Sequence, residues 1–165
     1  MIRTVNLEDA QEIAEIYNYY VLNSCVTFEE FEVSIEEMRG RIEATNSKFP
    51  WLVFEKDSEI LGYAYATMWK PRSAYKHTVE STVYLKKTAT KNGIGSLLYA
   101  ALIGQLTDLG FHAIIGGISL PNEASIALHE KFGFEKIAQF KEVGYKFNKW
   151  IDVGYWELLI NKINI

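Results

Sequence analysis

Thr90-Lys91-Asn92-Gly93-Ile94-Gly95-Ser96 stands between an apolar, strand-like run that ends at Leu85 and a helix-like run that starts near Ile94. A strand that turns through two glycines into a helix constrains the fold more than any other segment of this chain. Glycines let the backbone approach a ligand with no Cβ in the way. The helix that follows aims its free N–H groups and the positive end of its dipole at the same spot. Such a corner suits an anion, and a pyrophosphate in particular. It is equally compatible with a tight turn that binds nothing. Two familiar phosphate motifs do not fit. A dinucleotide fingerprint needs Gly or Ala where Leu98 stands, and an acidic residue about 20 residues on, where Leu109 to Ile115 has none. A nucleotide P-loop needs Gly-Lys-Ser/Thr, and Gly95 is followed by Ser96 and Leu97.

The rest of the chain narrows the ligand classes. A length of 165 residues with 48% apolar side chains points to one globular domain spanning 1–165. The net charge of −4 gives no reason to expect nucleic acid or an anionic membrane as partner. A polyanionic ligand would therefore have to be held by local backbone donors and a few lysines. The single cysteine, Cys25, excludes an internal disulfide framework and fits a reducing compartment. No apolar leader-like run precedes Asn6 to Asp9, and no run has the length of a membrane span, so a cytoplasmic protein is expected.

Periodicity and punctuation predict a short strand at Ile2 to Val5, then a helix capped by Asn6 with apolar positions from Ala10 to Val21. Ser34 and Glu37 read as a capping box for a second helix. Trp51 to Glu55 and Ile60 to Trp69 read as a hairpin around Asp57-Ser58-Glu59. Thr78 to Leu85 reads as a strand with Val79, Ser81, Val83 and Leu85 on one face and Glu80, Thr82 and Tyr84 on the other. A helix to about Leu109 with Gly110 behind it, a buried strand at Ala113 to Ser119, a helix from Asn122 to Phe132 and two strands, Phe134 to Val143 and Trp150 to Leu159, complete the order. This is an α/β arrangement with a mixed sheet.

The second half adds Asn122-x-x-Ser125-x-x-Leu128-His129-x-x-x-Gly133-Phe134 behind the glycine loop. The pattern resembles the GNAT N-acetyltransferase superfamily, whose acetyl-CoA loop reads Gln/Arg-x-x-Gly-x-Gly/Ala. Within it the chain is similar to the phosphinothricin acetyltransferases. The matching stretches are Gly62-Tyr63-Ala64-Tyr65-Ala66, Trp69-Lys70-Pro71-Arg72-Ser73-Ala74-Tyr75, Thr78-Val79-Glu80-Ser81-Thr82-Val83-Tyr84, Leu120-Pro121-Asn122, Leu128-His129-Glu130 and Trp150-Ile151-Asp152-Val153-Gly154. The resemblance implies a single-domain GNAT fold, a mixed, mostly antiparallel twisted sheet flanked by helices. It departs from the family at Thr90, which replaces the loop's Gln/Arg. Lys86, Lys87 and Lys91 could offset that loss, or simply be solvated.

Taken residue by residue, the resemblance implies direct acetyl transfer from acetyl-CoA to a small amine. Lys91, Asn92, Gly93, Ile94, Gly95 and Ser96 would hold the pyrophosphate. The backbone of Val83, Tyr84 and Leu85 would pair with the pantetheine arm, with an N–H near Leu85 as oxyanion donor. Asn122 and Ser125 would also contact the cofactor, although Asn122 reads equally as a plain N-cap, and Tyr99 is a weaker candidate. Glu80 would act as base, since a carboxylate among neutral strand residues is costly and its pKa should rise. His129 stands where many superfamily members carry a tyrosine acid; it could donate to the leaving sulfur, relay the amine proton, or only bond a local carbonyl. Lys70, Arg72 and Tyr75 would recognise the acidic end of an amino-acid-like substrate, with Phe28 lining the pocket and Tyr63, Tyr65 and Lys146 as further candidates. Phosphinothricin, methionine sulfone and methionine sulfoximine are the family's substrate types. A protein N-terminus or a polyamine as acceptor, and a CoA-binding module without catalysis, stay open as alternatives. The family also implies a homodimer. His77 and His112 lack a motif, and no cluster has metal-ligand spacing, so no metal is expected.

Overall fold

The computed structural model describes residues 1–90 and 92–160. Seven strands form one sheet: β1 (Ile2–Thr4), β2 (Trp51–Lys56), β3 (Glu59–Met68), β4 (Thr78–Leu85), β5 (Ala113–Ser119), β6 (Glu135–Lys146) and β7 (Lys149–Leu159). Their spatial order is β1-β2-β3-β4-β5-β7-β6. Among the described residues only β4 and β5 run parallel, joined by the crossover helix α3 (Ile94–Asp108); every other neighbouring pair there is antiparallel. The expected α/β fold with a mixed, mostly antiparallel sheet is what the chain adopts.

Alternation along the strands divides the core between the two faces. Trp51 and Val53 of β2 pack on α1 (Ala10–Asn23) and α2 (Ile35–Asn46), together with Ile13, Ile42 and Tyr63. Leu52 between them turns to the opposite face and joins Ala64, Val79, Leu98, Leu102, Ile114 and Trp156 under α3. The short helix α4 (Glu123–Lys131) lies on that second face too, placing His129 against α3 and β5. Val83 and Leu85 pack on the α3 cluster and Tyr84 on the α1 cluster, which is the facing read from the sequence.

Local signals explain most element ends. Ser34 accepts from the Glu37 N–H at 3.1 Å, but the Glu37 side chain turns to Arg41, so only half of the capping box forms. The β2–β3 hairpin turns through Asp57 and Ser58, both at positive φ, which matches the strand twist. Gly110 and Gly133 follow α3 and α4 at φ 79° and 84°, the left-handed position that ends a helix. One expectation is corrected. The strand read as Phe134 to Val143 runs on to Lys146, after a register shift between Phe140 and Gly144 with Glu142 at φ 55°. Phe147 and Asn148, at φ 52° and 58°, make a tight turn straight into β7, so Gly144 to Lys146 is strand and not loop.

Candidate active site

Register decides where a ligand can enter. β4 pairs with β5 over only three positions, Thr78↔Ala113, Val79↔Ile114 and Glu80↔Ile115, yet it pairs with β3 from Val79 to Leu85. From Ser81 onward the two central strands part. The Lys86 N–H bonds the Leu61 carbonyl on the β3 side. Because backbone groups alternate along a strand, Tyr84 also turns its peptide groups to β3, while Val83 and Leu85 turn theirs to the gap. A cleft of about 390 Å³ occupies the gap, lined by Val83, Tyr84, Leu85, Thr90, Gly95, Asn122, Ser125 and His129 among others. Val83 therefore offers its backbone groups and Leu85 its N–H, the candidate oxyanion donor, while the Leu85 carbonyl accepts from the Tyr20 hydroxyl at 2.6 Å. Tyr84 also lines the cleft, with its ring packed against Tyr17, Tyr20 and Tyr63.

The glycine loop closes one end. Gly93 caps α3 in the left-handed conformation at φ 77°, which a side chain would strain. Gly95 differs. A Cβ there would make only ordinary contacts, at 3.5 Å from Leu85 and 3.7 Å from Leu128. The fold does not require that glycine, so its use is the open approach to the cleft it lines. The Thr90 hydroxyl donates to the Lys87 carbonyl at 3.0 Å, and Lys131 donates to Ser96 Oγ at 2.9 Å on the first turn of α3. Lys91, expected at this site, lies outside the described residues. Across the cleft, Asn122 caps α4 by accepting from the Ser125 N–H at 3.1 Å. It is thus both the N-cap and a cleft residue, as its two sequence readings allowed.

Two adjacent glycines of β5 seat the titratable groups. A Cβ on Gly116 would stand 2.3 Å from His129 Nε2, and one on Gly117 would stand 3.0 Å from Glu80 Oε1. Since successive residues face opposite sides of a sheet, His129 and Glu80 occupy opposite faces at the point where the sheet parts. Burial pushes the Glu80 carboxyl above its ordinary pKa, and the nearby Lys70 ammonium pulls in the other direction more weakly. No carboxylate partner or hydrogen bond fixes Glu80 among the described residues. A half-buried carboxylate with raised proton affinity beside an open cleft is suited to accepting a proton. His129 is buried, and burial lowers its pKa, so it rests neutral near pH 7. Its Nδ1 donates to the Ser125 carbonyl at 2.7 Å, and its Nε2 meets the Tyr99 hydroxyl at 2.7 Å.

The four residues expected to read the substrate are not gathered in this cleft. Lys70 and Arg72 line a separate depression of about 160 Å³ with Pro71 and Lys76, and Tyr75 is exposed in the same loop. Phe28 lies between α1 and α2 and packs over Gly144 of β6, where a Cβ would come within 2.4 Å of its ring. Lys146 is buried beneath that loop and donates to the Thr27 carbonyl at 2.9 Å. Tyr63 and Tyr65 stack with Trp51 on the α1 face. Tyr20, Val26 and Thr82 line the cleft unforeseen, as does Gly117. The double glycine inside a strand was the available signal, because such glycines mark close approach of other groups.

A sheet parted beside a glycine-capped helix, with backbone on one strand left without a partner strand, is a site for an extended phosphate-bearing ligand. Residues 2–154 match the family described as acetyltransferase (GNAT) domain. The chain belongs to the GNAT acetyltransferases. It is 36% identical to the phosphinothricin N-acetyltransferase of Streptomyces viridochromogenes over 156 residues, covering 94% of this chain and 85% of that one. It is 32% identical to the L-methionine sulfoximine/L-methionine sulfone acetyltransferase of Salmonella typhimurium, over 98% of this chain and 95% of that one. The structure of a GNAT superfamily phosphinothricin acetyltransferase from Sinorhizobium meliloti, in complex with AcCoA, superposes with a TM-score of 0.95 at 34% identity. That match covers 99% of this chain and 90% of the other. The enzyme is an acetyl-CoA-dependent N-acetyltransferase. Among its described residues, no group of His, Cys, Asp or Glu could hold a metal ion, and no helix is long and apolar enough to cross a membrane.

Proposed function

We propose that this acetyltransferase moves the acetyl group directly from acetyl-CoA to the amine of a small amino-acid-like substrate of the phosphinothricin, methionine sulfone or methionine sulfoximine type. The observation that carries the mechanism is the parting of β4 from β5 just beyond Glu80, which leaves Val83 and Leu85 backbone groups without a strand partner. The pantetheine arm would take the place of that partner strand, bonding Val83 and Leu85. Residues 92–96 would hold the pyrophosphate at the N-terminus of α3. Asn122 and Ser125 would border the arm from α4.

Glu80 would take a proton from the substrate ammonium, freeing its lone pair to attack the thioester carbonyl. Its raised pKa supports this role, since a base works best when its pKa approaches the working pH. The Leu85 N–H would then stabilise the oxyanion, a contribution typically of about 3 kcal/mol. The acid-recognising role of Lys70, Arg72 and Tyr75 is supported by charge and by the proximity of Lys70 to Glu80. The substrate's acidic end would reach toward that loop while its amine lies at Glu80.

We further propose one domain over 1–165, acting in the cytoplasm as a homodimer. The single, half-buried cysteine supports the compartment. Exposed Phe140, Tyr145, Phe147 and Trp150 on the β6–β7 hairpin support pairing through the C-terminal strands. The test is a thiol-release assay with acetyl-CoA and a panel of phosphinothricin, methionine sulfone, methionine sulfoximine, ordinary amino acids, spermidine and a short peptide. Turnover of the first three at low concentration is expected. Turnover confined to spermidine or the peptide refutes the substrate assignment.

A further inference from the structure

Below the point where the sheet parts lies a buried chain of hydrogen bonds through three elements. Ser81 on β4, Tyr99 on α3 and His129 on α4 are 7%, 0% and 4% exposed. Ser81 Oγ lies 2.6 Å from the Tyr99 oxygen, which lies 2.7 Å from His129 Nε2. His129 Nδ1 lies 2.7 Å from the Ser125 carbonyl oxygen. The far end sets the direction of every bond. A carbonyl only accepts, so Nδ1 carries the ring hydrogen, and neutral imidazole then presents a lone pair at Nε2. Tyr99 must donate to that lone pair, and with its hydrogen so committed its oxygen accepts from Ser81. In the reversed chain Ser81 would have to donate to the Ile115 carbonyl at 3.4 Å, a long and weak bond. The resting chain is therefore built to take up a proton at Nε2, not to give one.

Acetyl transfer to an ammonium removes two protons from nitrogen, while a C–N bond forms and the C–S bond breaks with its electron pair leaving on sulfur. One proton ends on the thiolate and one in solvent. Glu80 accounts for a single acceptor, on one face of the sheet. Ser81 lines the cleft and reaches the other face. We propose that Ser81, Tyr99 and His129 form the second proton acceptor, with Tyr99 as the relay between Ser81 and His129. A proton from the nitrogen of the tetrahedral intermediate passes to Ser81 Oγ, the Ser81 proton to Tyr99, and the Tyr99 proton to His129 Nε2. As the C–S bond breaks, the reverse shift returns a proton to sulfur. His129 thereby protonates the leaving group only after it has been loaded during turnover. The assignment rests on the acetyl-transfer reading above.

The surroundings favour the neutral, receptive form. Tyr99 is the titratable group that touches His129 from α3. β5 presents Gly116 and the segment after α4 presents the Phe134 ring, neither of which ionises. Glu80 lies across the sheet and acts on Tyr99, whose own pKa it helps burial to raise. On α4 itself, Glu130 is engaged by the Trp156 indole N–H and Lys131 by Ser96.

Histidine-selective 15N NMR tests this without requiring turnover, because the chain has three histidines and His129→Gln identifies the signal. Wild-type enzyme should show the Nδ1–H tautomer with a midpoint below the ordinary histidine value. Tyr99→Phe removes the donor to Nε2 and should raise the midpoint by about 0.5 to 1 pH unit. It should also lower kcat about tenfold with the KM for acetyl-CoA unchanged. Ser81→Ala should move both quantities the same way and serves if Tyr99→Phe does not fold. An Nε2–H tautomer in wild type overturns the proposal. So does an unchanged midpoint in a folded variant. Absence of acetyl transfer from wild type with every amine would refute the functional reading instead, leaving the tautomer result to stand by itself.

Discussion

Placing one methyl group on either central glycine of β5 separates the two faces of the site. In Gly116→Ala the new Cβ would stand 2.3 Å from His129 Nε2 and 2.5 Å from Cδ2 of the same ring. Ordinary contact begins near 3.4 Å, so the imidazole must retreat by about 1 Å. It cannot do so freely, since both ring nitrogens are hydrogen-bonded and Phe134 packs edge-on at 5.0 Å. Two hydrogen bonds weakened at ~1 kcal/mol each, with overpacking of ~1 to 3 kcal/mol, give an expected loss of about 3 to 5 kcal/mol. In Gly117→Ala the Cβ would meet Glu80 Oε1 at 3.0 Å and Tyr155 Cε1 at 3.3 Å. The carboxylate ends a flexible, half-buried side chain that no hydrogen bond fixes among the described residues, so a shift of a few tenths of an ångström suffices and the cost should stay below ~1 kcal/mol. Urea unfolding measures both losses, and thiol release measures activity. Gly116→Ala should be markedly unstable, while Gly117→Ala should fold normally and lose rate through its displaced base. Equal stabilities, or a greater loss in Gly117→Ala, would refute the seating of the two groups on opposite faces.

Gly95→Ala should keep wild-type stability, because its Cβ meets only ordinary contacts, yet weaken acetyl-CoA binding at least several-fold by calorimetry. Thr90→Arg should tighten acetyl-CoA binding several-fold by restoring a side chain that can grip phosphate; unchanged affinity would show that Thr90 is no deficit. His129 is held below the ordinary histidine pKa, so unfolded protein takes up its proton first as pH falls through about 6.5. The stabilisation it gives is complete above that pH and declines below it. His129→Gln should therefore flatten the fall in unfolding free energy between pH 7.5 and 5.5 relative to wild type, and an identical slope would contradict the burial of a neutral imidazole.

Much of this geometry was readable where it is local. β4 and β5 occupy the residues expected, Thr78–Leu85 and Ala113–Ser119, because apolar runs there are bounded by clear breakers. Gly93, Gly95, Asn122 and His129 came from motifs confined to one loop or one helix. What crosses elements was not readable. Ser81, Tyr99 and His129 are 18 and 30 residues apart, and nothing in their types says that they touch. The end of β6 was missed for another reason: Phe147-Asn148 carries no glycine, so a two-residue turn at positive φ had no usual signature. Lys70, Arg72 and Tyr75 show the limit of a motif. It named residues suited to an acidic group; the fold sets Lys70 and Arg72 in a depression of their own, with Lys70 near enough to act on Glu80.

The most direct test of the mechanism is the pH profile of thiol release with acetyl-CoA and methionine sulfone, for wild type and for Glu80→Gln. Wild type should turn over, with an acidic limb set by a carboxyl titrating above the ordinary glutamate value. Glu80→Gln should lose about a hundredfold or more of the rate near neutral pH, with the loss shrinking as pH rises and free amine becomes available. A Glu80→Gln enzyme with unchanged rate and an unchanged acidic limb would contradict the assignment of Glu80 as the base of this site.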